Sequence, residues 1–246
     1  MGQWFEDESI WRESYDISFN SAVLEAAGLE VEKILALVDF EDGDILDLAC
    51  GPGRHAIALT AKGHKVTGVD LTECLLEKAR AAAEKAGVQV EWIQEDMRRY
   101  VRPNSYSLAI CMYNSLGYFE DREDDFVTVA NVFESLKPGG AFVLECAGKE
   151  PLARTFQSFK GRQTPEGIQV FKTRRLLDDW SRTENTDVVV RGDRVQRFRY
   201  VLNLYSGREL KELLDRAGFQ TSAYGNLDGA PYDQHASNLF AVARKP

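Results

Sequence analysis

The sequence predicts an α/β fold in which a mostly parallel sheet carries helices on both faces. Short apolar runs that suit buried strands lie near 44–49, 65–70 and 89–94, and segments with helical periodicity separate them. The alternation continues with a strand at 107–113 and an amphipathic helix at 121–136. Strands that alternate with helices favour parallel pairing through right-handed crossovers, because each helix must pack back onto the sheet.

The remaining elements follow this core in chain order. The N-terminal segment is predicted to form two helices with a break within 14–20. Ser206 and Glu209 have capping-box spacing, which predicts the start of a late helix that Gly218 closes. The other expected features are a turn at 137–140, strands at 141–146, 219–225 and 238–244, and the late helix at 206–217.

One segment departs from the pattern of the core. Between 167 and 204 apolar and polar residues alternate, with turn signals near 183–185 and 192–193, which is typical of antiparallel strands. Because this segment precedes the late helix, we interpret it as an insertion that could cover a substrate. The predicted division is a main domain of residues 1–148 and 206–246, of which 1–38 form a helical N-terminal part, and an inserted β segment of residues 149–205.

The run DILDLACGPGRHAIAL, residues 44–59, predicts a strand, a glycine turn and a helix. Gly51 and Gly53 permit backbone angles that are closed to other residues and let a ligand approach the main chain. Free N–H groups at the start of the following helix point at whatever lies over the turn. Asp70 ends the next strand, where a carboxylate can accept both ribose hydroxyls. The pattern predicts a pocket for an adenosine-containing cofactor.

The same turn can also be interpreted as part of a dinucleotide-binding site, since residues 51–56 fit the pattern G-x-G-x-x-G/A. Asp47 argues against it, because a carboxylate before the turn would repel a pyrophosphate but suit an ammonium group. Moreover, the third strand also ends at a carboxylate, Asp96, and the chain ends in a strand pair rather than a second catalytic domain. An NAD(P)-dependent oxidoreductase therefore stays the less favoured alternative.

These segments resemble the class I S-adenosylmethionine-dependent methyltransferases. The resemblance rests on LDLACGPGRH, VTGVDLT, QEDMRR, YNSLGYF and LKPGGAFVLE, which occur in that order and span about 44–145, and on YSGRELKELLDRAGF further along. It implies a Rossmann-like, mostly parallel seven-stranded sheet with an antiparallel C-terminal strand. It also implies S-adenosyl-L-methionine as the cofactor and S-adenosyl-L-homocysteine as the product. Ala49 departs from the family, in which glycine is common there, and alanine is compatible if its φ is negative.

The resemblance also implies roles for individual residues. Asp47 and the backbone around Ala49 and Gly51 would hold the methionine end of the cofactor, and Asp70 would hold the ribose. Asp96 would bind the adenine amine and Met97 would contact the ring, although Asp96 could instead cap a helix that begins at Met97. Tyr15 is a candidate wall of the pocket, with core packing as the alternative. The candidate cofactor-binding residues are Asp47, Ala49, Gly51, Gly53, Asp70, Leu71, Asp96, Met97, Tyr113 and Tyr15.

The acceptor is expected beyond the carboxyl ends of the strands, where ligands of open α/β sheets bind. Tyr113 and Asn114 follow the fourth strand and are candidate catalytic residues. His235 is the best candidate for a general base, with an exposed loop histidine as the alternative. Tyr118, Tyr205 and Tyr232 are candidate substrate-binding residues. Neither an N-P-P-Y/F run nor a Pro-Cys pair follows the fourth strand, so we expect N- or O-methylation of a small molecule.

The formal net charge of −9 argues against general nucleic-acid binding. However, residues 149–205 contain 12 basic and 7 acidic side chains, whereas the whole chain contains 30 and 39. This basic segment could meet an anionic substrate or a partner, and a solvated sheet face is the alternative. A methyltransferase that acts on RNA or on a protein therefore stays open, as does a scaffold that binds the cofactor without catalysis.

Composition sets the other expectations. We expect no membrane-spanning segment, because the sequence lacks a stretch of eighteen apolar residues, and no signal region, because the N-terminus is acidic. The four cysteines lack metal-binding spacing and are expected to be reduced thiols in a cytoplasmic protein, with no metal site. The expected partner is a small-molecule substrate, and a homodimer stays open.

Overall fold

The computed structural model describes residues 3–246 as two sheets and seven α-helices. A short 3-10 helix at Trp4–Glu6 precedes them. The helices are α1 (Glu8–Ser18), α2 (Ser21–Leu37), α3 (Arg54–Ala61), α4 (Glu73–Ala86), α5 (Arg122–Ser135), α6 (Lys149–Thr155) and α7 (Gly207–Arg216). The strands are β1 (Ile45–Leu48), β2 (Val66–Asp70), β3 (Glu91–Gln94), β4 (Tyr106–Cys111), β5 (Leu136–Cys146), β6 (Phe159–Gln163), β7 (Gln169–Leu177), β8 (Arg182–Arg191), β9 (Arg194–Asn203), β10 (Gln220–Tyr224) and β11 (Leu239–Arg244).

The larger sheet has the strand order β10-β11-β5-β4-β1-β2-β3. All neighbouring pairs are parallel except those of β11, which runs antiparallel to both β5 and β10. The predicted fold class is confirmed. Ile45, Leu46 and Leu48 are at most 1% exposed, as a central parallel strand requires, because helices cover both faces. The carboxyl ends of β1, β2 and β4 consequently meet at one edge.

Two turn predictions were wrong. Residues 137–140 belong to the long strand β5, where the pairing with β4 shifts between Tyr106 and Leu108 and Gly139 adopts a φ of +79°. The turn that was expected at 183–185 lies at 178–181, between β7 and β8. Asp178, Asp179 and Trp180 all have positive φ there. Thr183 and Asn185 signalled a turn because they are polar, yet they are buried strand residues.

The second sheet is antiparallel, with the order β6-β7-β8-β9, and it lies wholly within 149–205. Its first strand and helix α6 were not expected. The division into domains itself stays a prediction. Since side chains alternate along a strand, the pairing register defines one face, which we call the inner face. Its members are Lys160, Arg162, Val170, Lys172, Arg174, Leu176, Thr183, Asn185, Asp187, Val189, Arg191, Arg194, Gln196, Phe198, Tyr200 and Leu202.

The inserted sheet is fixed to the core of the protein by a buried hydrogen-bond network around Asp125, which is 0% exposed. Its carboxylate accepts from the Gly117 backbone N–H (2.9 Å), the Asn203 amide (2.9 Å) and the Tyr205 hydroxyl (2.6 Å). These donors come from the loop after β4 and from the end of β9. The network therefore holds the inserted sheet against the loop that follows β4.

Among residues 3–246, no helix is both long enough and apolar enough to cross a membrane.

Candidate active site

A cavity of about 700 Å³ lies at the carboxyl ends of β1, β2 and β4. The inner face of the inserted sheet, helix α1 and the aromatic residues Trp4 and Phe5 also form its walls. Most of the predicted site residues line it together. They are Asp47, Ala49, Gly51, Asp70, Leu71, Asp96, Met97, Tyr113, Asn114 and Tyr118.

The turn after β1 has left-handed backbone angles at Ala49 (φ +55°), Gly51 (+54°) and Gly53 (+75°). The condition stated for alanine, a negative φ, is therefore not met, and residue 49 carries the strain of a left-handed alanine. Gly53 does not line the cavity. It is the N-cap of α3, where a Cβ would lie 2.4 Å from the Trp92 ring, so its role is to let that ring pack. At Gly51 a Cβ would project to 3.4 Å from Phe19.

Asp70 connects this turn to the next strand. Its carboxylate accepts from the Gly51 backbone N–H at 2.7 Å and from the Thr72 backbone N–H at 2.8 Å. Burial raises the pKa of Asp70, and the two N–H groups oppose that rise. An ionised carboxylate offers about four acceptor sites, so this one keeps capacity for further donors in the cavity.

Asp47 and Arg54 place opposite charges at the same end of the cavity. Asp47 is 1% exposed, and its Oδ2 accepts from the Ala56 backbone N–H at 3.0 Å. Burial raises the pKa of Asp47 to about 7. Arg54 is 7% exposed and pairs with Glu30, whereas its Nη2 atom is buried with no hydrogen-bond partner. An unpaired buried guanidinium nitrogen leaves a donor for an anionic group.

Sequence reasoning missed the role of Arg54 and its partners. Glu30 Oε2 also lies 2.8 Å from His55 Nε2, so two consecutive residues of α3 share one carboxylate from α2. An arginine directly after a buried glycine turn was a usable signal, because a buried guanidinium needs partners. No sequence signal pointed to Glu30, because it lies more than twenty residues before Arg54 on a helix without a distinctive pattern.

Asp96 lies on the cavity wall but does not cap a helix, because residues 97–99 form a turn. Its carboxylate accepts from the backbone N–H of Arg98 (2.8 Å) and pairs with the Arg98 guanidinium, which also contacts Asp124 at 2.9 Å. Burial raises the pKa of Asp96, but the hydrogen bonds and charge of Arg98 outweigh burial and hold it below its ordinary value. Asp96 is therefore a rigidly held, ionised acceptor.

Tyr113 and Asn114 follow β4 with φ values of +67° and +64°, which is unusual for two consecutive residues other than glycine. Glu145 stabilises this turn, since its Oε2 accepts from the Tyr113 backbone N–H (2.9 Å) and its Oε1 accepts from the Asn238 amide (2.6 Å). Asn114 Oδ1 is buried without a partner. The strained turn thus presents an unsatisfied acceptor at a wall of the cavity.

Besides Gly53, four predicted residues lie outside the cavity, which differs from the expectation. Tyr15 packs on Phe19 with the Lys78 ammonium 4.3 Å from its ring centroid. The Tyr205 hydroxyl is buried in the Asp125 network described above, and the Tyr232 hydroxyl donates to Glu150 at 2.6 Å. A buried tyrosine hydroxyl usually forms a hydrogen bond with another group of the protein. His235 is exposed in the loop before β11.

The chain is similar to known methyltransferases. Residues 45–140 match the family described as the methyltransferase domain. The Bacillus subtilis (strain 168) protein YqeM, named as a methyltransferase, is 29% identical over 73% of this chain and 74% of its own length. The dTDP-3-amino-3,4,6-trideoxy-alpha-D-glucopyranose N,N-dimethyltransferase of Streptomyces venezuelae is 33% identical over 43% of each chain. A structure of an S-adenosylmethionine-dependent methyltransferase from Clostridium acetobutylicum ATCC 824 superposes with a TM-score of 0.79 at 17% identity, covering 96% of this chain and 98% of that one.

Proposed function

Since the chain belongs to the class I S-adenosylmethionine-dependent methyltransferases, we propose that it transfers a methyl group to a nitrogen or oxygen of a small-molecule acceptor. One observation carries this proposal. Asp47 lies in β1, Asp70 ends β2 and Asp96 follows β3, and the three carboxylates line a single cavity together with an unpaired donor of Arg54. The cavity is closed on its far side by a second sheet, which leaves room for an acceptor beside the cofactor.

The polar groups of the cavity fit the cofactor part by part. Arg54 and Asp47 would hold the carboxylate and ammonium groups of the methionine end, because they offer a donor and an acceptor side by side. Asp70 would accept the ribose hydroxyls, and Asp96 with Met97 would contact the adenine. S-adenosylmethionine, when bound, supplies a methyl group activated by the positive charge on sulfur.

The chain's own contribution is to position the acceptor and exclude water. Trp4 lies 4.7 Å from the Tyr118 ring and 5.1 Å from the Tyr200 ring, so three aromatic rings cover one part of the cavity. Aromatic faces also favour cationic methyl and ammonium groups. With His235 outside the cavity, Asp187 is the proposed proton acceptor, because its Oδ1 is buried without a partner.

The name of one relative supports a small acceptor. The Streptomyces venezuelae protein is named for the N,N-dimethylation of an amino sugar nucleotide, and that name favours nitrogen as the acceptor atom here. A hydroxyl acceptor would need Asp187 as a base, whereas an amine only has to arrive without its extra proton.

We expect calorimetry to show binding of S-adenosylhomocysteine and no binding of NAD. Asp70→Asn should weaken S-adenosylhomocysteine binding roughly 30-fold or more, because it removes the charge from the acceptor of the ribose hydroxyls. Asp44→Asn is the matched control, since Asp44 lies at the opposite end of β1 and pairs with Lys65; it should change the affinity less than about twofold.

A screen of small metabolites, read by mass spectrometry, would then identify the methylated product. Binding of NAD without S-adenosylhomocysteine would contradict the proposal.

Two ion pairs connect the inserted sheet to helix α1, and we propose that they hold the cavity closed. Arg191 pairs with Asp16 at 2.5 Å and Arg194 pairs with Glu13 at 2.7 Å. Because exposed ion pairs contribute up to about 1 kcal/mol each, Arg191→Gln/Arg194→Gln should release S-adenosylhomocysteine about 2–10-fold faster in low salt. Stopped-flow tryptophan fluorescence measures this rate, since Trp4 and Trp11 line the cavity.

The difference in release rate should disappear in about 1 M salt, which screens exposed charges. Arg182→Gln is the control, because Arg182 pairs with Asp178 inside the inserted sheet and should not alter release. Equal release rates of the double variant and the wild type in low salt would show that these pairs do not close the cavity.

A further inference from the structure

We propose that the acceptor carries an anionic group, a phosphate or a carboxylate, that binds to the basic inner face of the inserted sheet. This inference rests on the proposed methyltransferase function, since it concerns the second substrate of the same cavity.

The inner face has an unusual composition for a sheet that covers a cavity. A sheet that only excluded water would turn its apolar side inward, because strands alternate apolar-in and polar-out. Here most inner-face residues are polar or charged, and eight of the eleven inner-face residues that line the cavity are polar or charged. The apolar members are Val170, Leu176, Val189, Phe198 and Leu202, and three of them, Val170, Val189 and Phe198, pack on helix α1. The rest of the face is therefore arranged to contact a polar ligand.

The charge of this face is positive. Lys160, Arg162 and Arg174 line the cavity, and within residues 3–246 none of their side chains forms an ion pair. Lys172 is the fourth cation that lines the cavity, and it is neutralised by Asp187 at 3.2 Å and hydrogen-bonded to the Tyr200 hydroxyl at 2.8 Å. Three unpaired cations on one wall favour an anion, and guanidinium groups suit phosphate and carboxylate oxygens in particular.

Among the outer-face arginines, Arg175, Arg182 and Arg199 are neutralised, whereas Arg197 is exposed and forms no ion pair within residues 3–246. Arg175 and Arg199 share Glu184, and Arg182 pairs with Asp178. A surface for RNA would need free positive charge facing solvent along an extended stripe. The free charge is instead concentrated on the inner face, at a cavity of about 700 Å³. This placement favours a small anionic molecule over a nucleic acid.

The two walls of the cavity have opposite charge, which sets the orientation of the acceptor. Asp47, Asp70 and Asp96 lie at the edge of the large sheet, facing the region where the cofactor is proposed to bind. Because Arg54 on this wall is assigned to the carboxylate of the cofactor, the three carboxylates repel an anionic group of the acceptor and the inner face attracts it. Arg162 on the inner face and Tyr113 on the turn after β4 line the same cavity. Binding of the anion near Arg162 would therefore direct the rest of the acceptor toward the turn at Tyr113.

The test uses the full chain saturated with S-adenosylhomocysteine, so that the cofactor region is filled. Calorimetry with inorganic pyrophosphate and, separately, with citrate should show binding of at least one of them, and the stronger probe identifies the group. Arg162→Gln/Arg174→Gln should weaken that binding about tenfold or more, since it removes two charged donors. The control Arg175→Gln/Arg197→Gln makes the same change of charge on the outer face, where Arg197 is exposed, and should act less than about twofold.

Several results would overturn the inference. If neither anion binds, or if both double variants weaken binding equally, the inner face is not an anion site. Binding of a single-stranded oligoribonucleotide that the outer-face control abolishes would favour a nucleic-acid acceptor. S-adenosylhomocysteine binding serves as a separate readout: its absence contradicts the proposed function, whereas its presence without anion binding contradicts only this inference.

Once the metabolite screen identifies the acceptor, steady-state kinetics supply a second readout. For Arg162→Gln/Arg174→Gln, the KM for the acceptor should rise about tenfold while kcat stays within about threefold, because these cations bind the acceptor away from the reacting atoms. A neutral or purely cationic acceptor would contradict the inference.

Discussion

Replacing Asp47 with asparagine is expected to stabilise the protein at pH 8 while weakening binding of S-adenosylhomocysteine about 100-fold. The carboxylate is 1% exposed, and burial raises its pKa from an ordinary value of 3.8 to about 7. The amide oxygen of asparagine can still accept from the Ala56 N–H, so the turn is kept. The amide has no negative charge to attract the ammonium group of the ligand, so the affinity is expected to fall.

The pH dependence follows from the raised pKa of Asp47. The folded protein binds this proton more tightly than the unfolded chain, so the contribution of Asp47 to the free energy of unfolding falls as pH rises from about 4 to about 7. Each pKa unit corresponds to about 1.4 kcal/mol, so a few kcal/mol are lost above pH 7, and the asparagine variant recovers them. Urea denaturation at pH 5 and pH 8 measures the difference.

Ligand binding should show the opposite dependence on pH. Wild-type affinity for S-adenosylhomocysteine should fall by up to about tenfold per pH unit below pH 7, because protonation removes the charge of Asp47. The asparagine variant should lack this component, and Asp44→Asn should retain it. An Asp47→Asn protein that is less stable at pH 8, or that binds with wild-type affinity, would contradict the assignment.

Removing the carboxylate of Asp125 is expected to have the largest effect on stability. Asp125→Ala leaves the Gly117 N–H, the Asn203 amide and the Tyr205 hydroxyl without their acceptor inside the protein. Each unsatisfied buried donor costs about 1–3 kcal/mol, and removal of a carboxylate whose pKa is raised by burial offsets part of this. We expect the free energy of unfolding to fall by about 3–5 kcal/mol in urea denaturation.

Glu123→Ala is the matched control on the same helix, because Glu123 is exposed and pairs only with Arg216; it should cost less than about 1 kcal/mol. Hydrogen exchange gives a second readout, since the Asp125→Ala protein should lose protection at 116–119 and at 203–205 before β1 is affected. A uniform loss across the fold, or no loss, would show that Asp125 does not hold the inserted sheet in place.

The parts of the site that could be predicted are those encoded by local pattern. A carboxylate at or near the end of a strand can be recognised from a few adjacent residues, so Asp47, Asp70 and Asp96 could be predicted from the sequence, and the structure has all three at one cavity. The φ of Ala49 was not predicted, because a left-handed alanine depends on the contacts of the whole turn. Polar residues that face inward were also not predicted. Asn185, for example, was interpreted as part of a turn, although it is a buried strand residue.

The tyrosines show why the acceptor region was harder to predict. Tyr205 and Tyr232 lie near the predicted site in sequence, but each hydroxyl donates to a carboxylate, Asp125 or Glu150, from another element. Such partners are set by packing between elements and leave no local pattern. The inner face depends on the register of four strands, so its basic character appears in the sequence only as an excess of positive charge.

A crystal structure of the protein with S-adenosylhomocysteine tests the central claim most directly. We predict that the ribose hydroxyls lie within hydrogen-bond distance of Asp70 and that the amino-acid end of the ligand contacts Asp47 and Arg54. Density for the ligand in another place, or in this cavity with Asp47 and Asp70 directed away from it, would contradict the account.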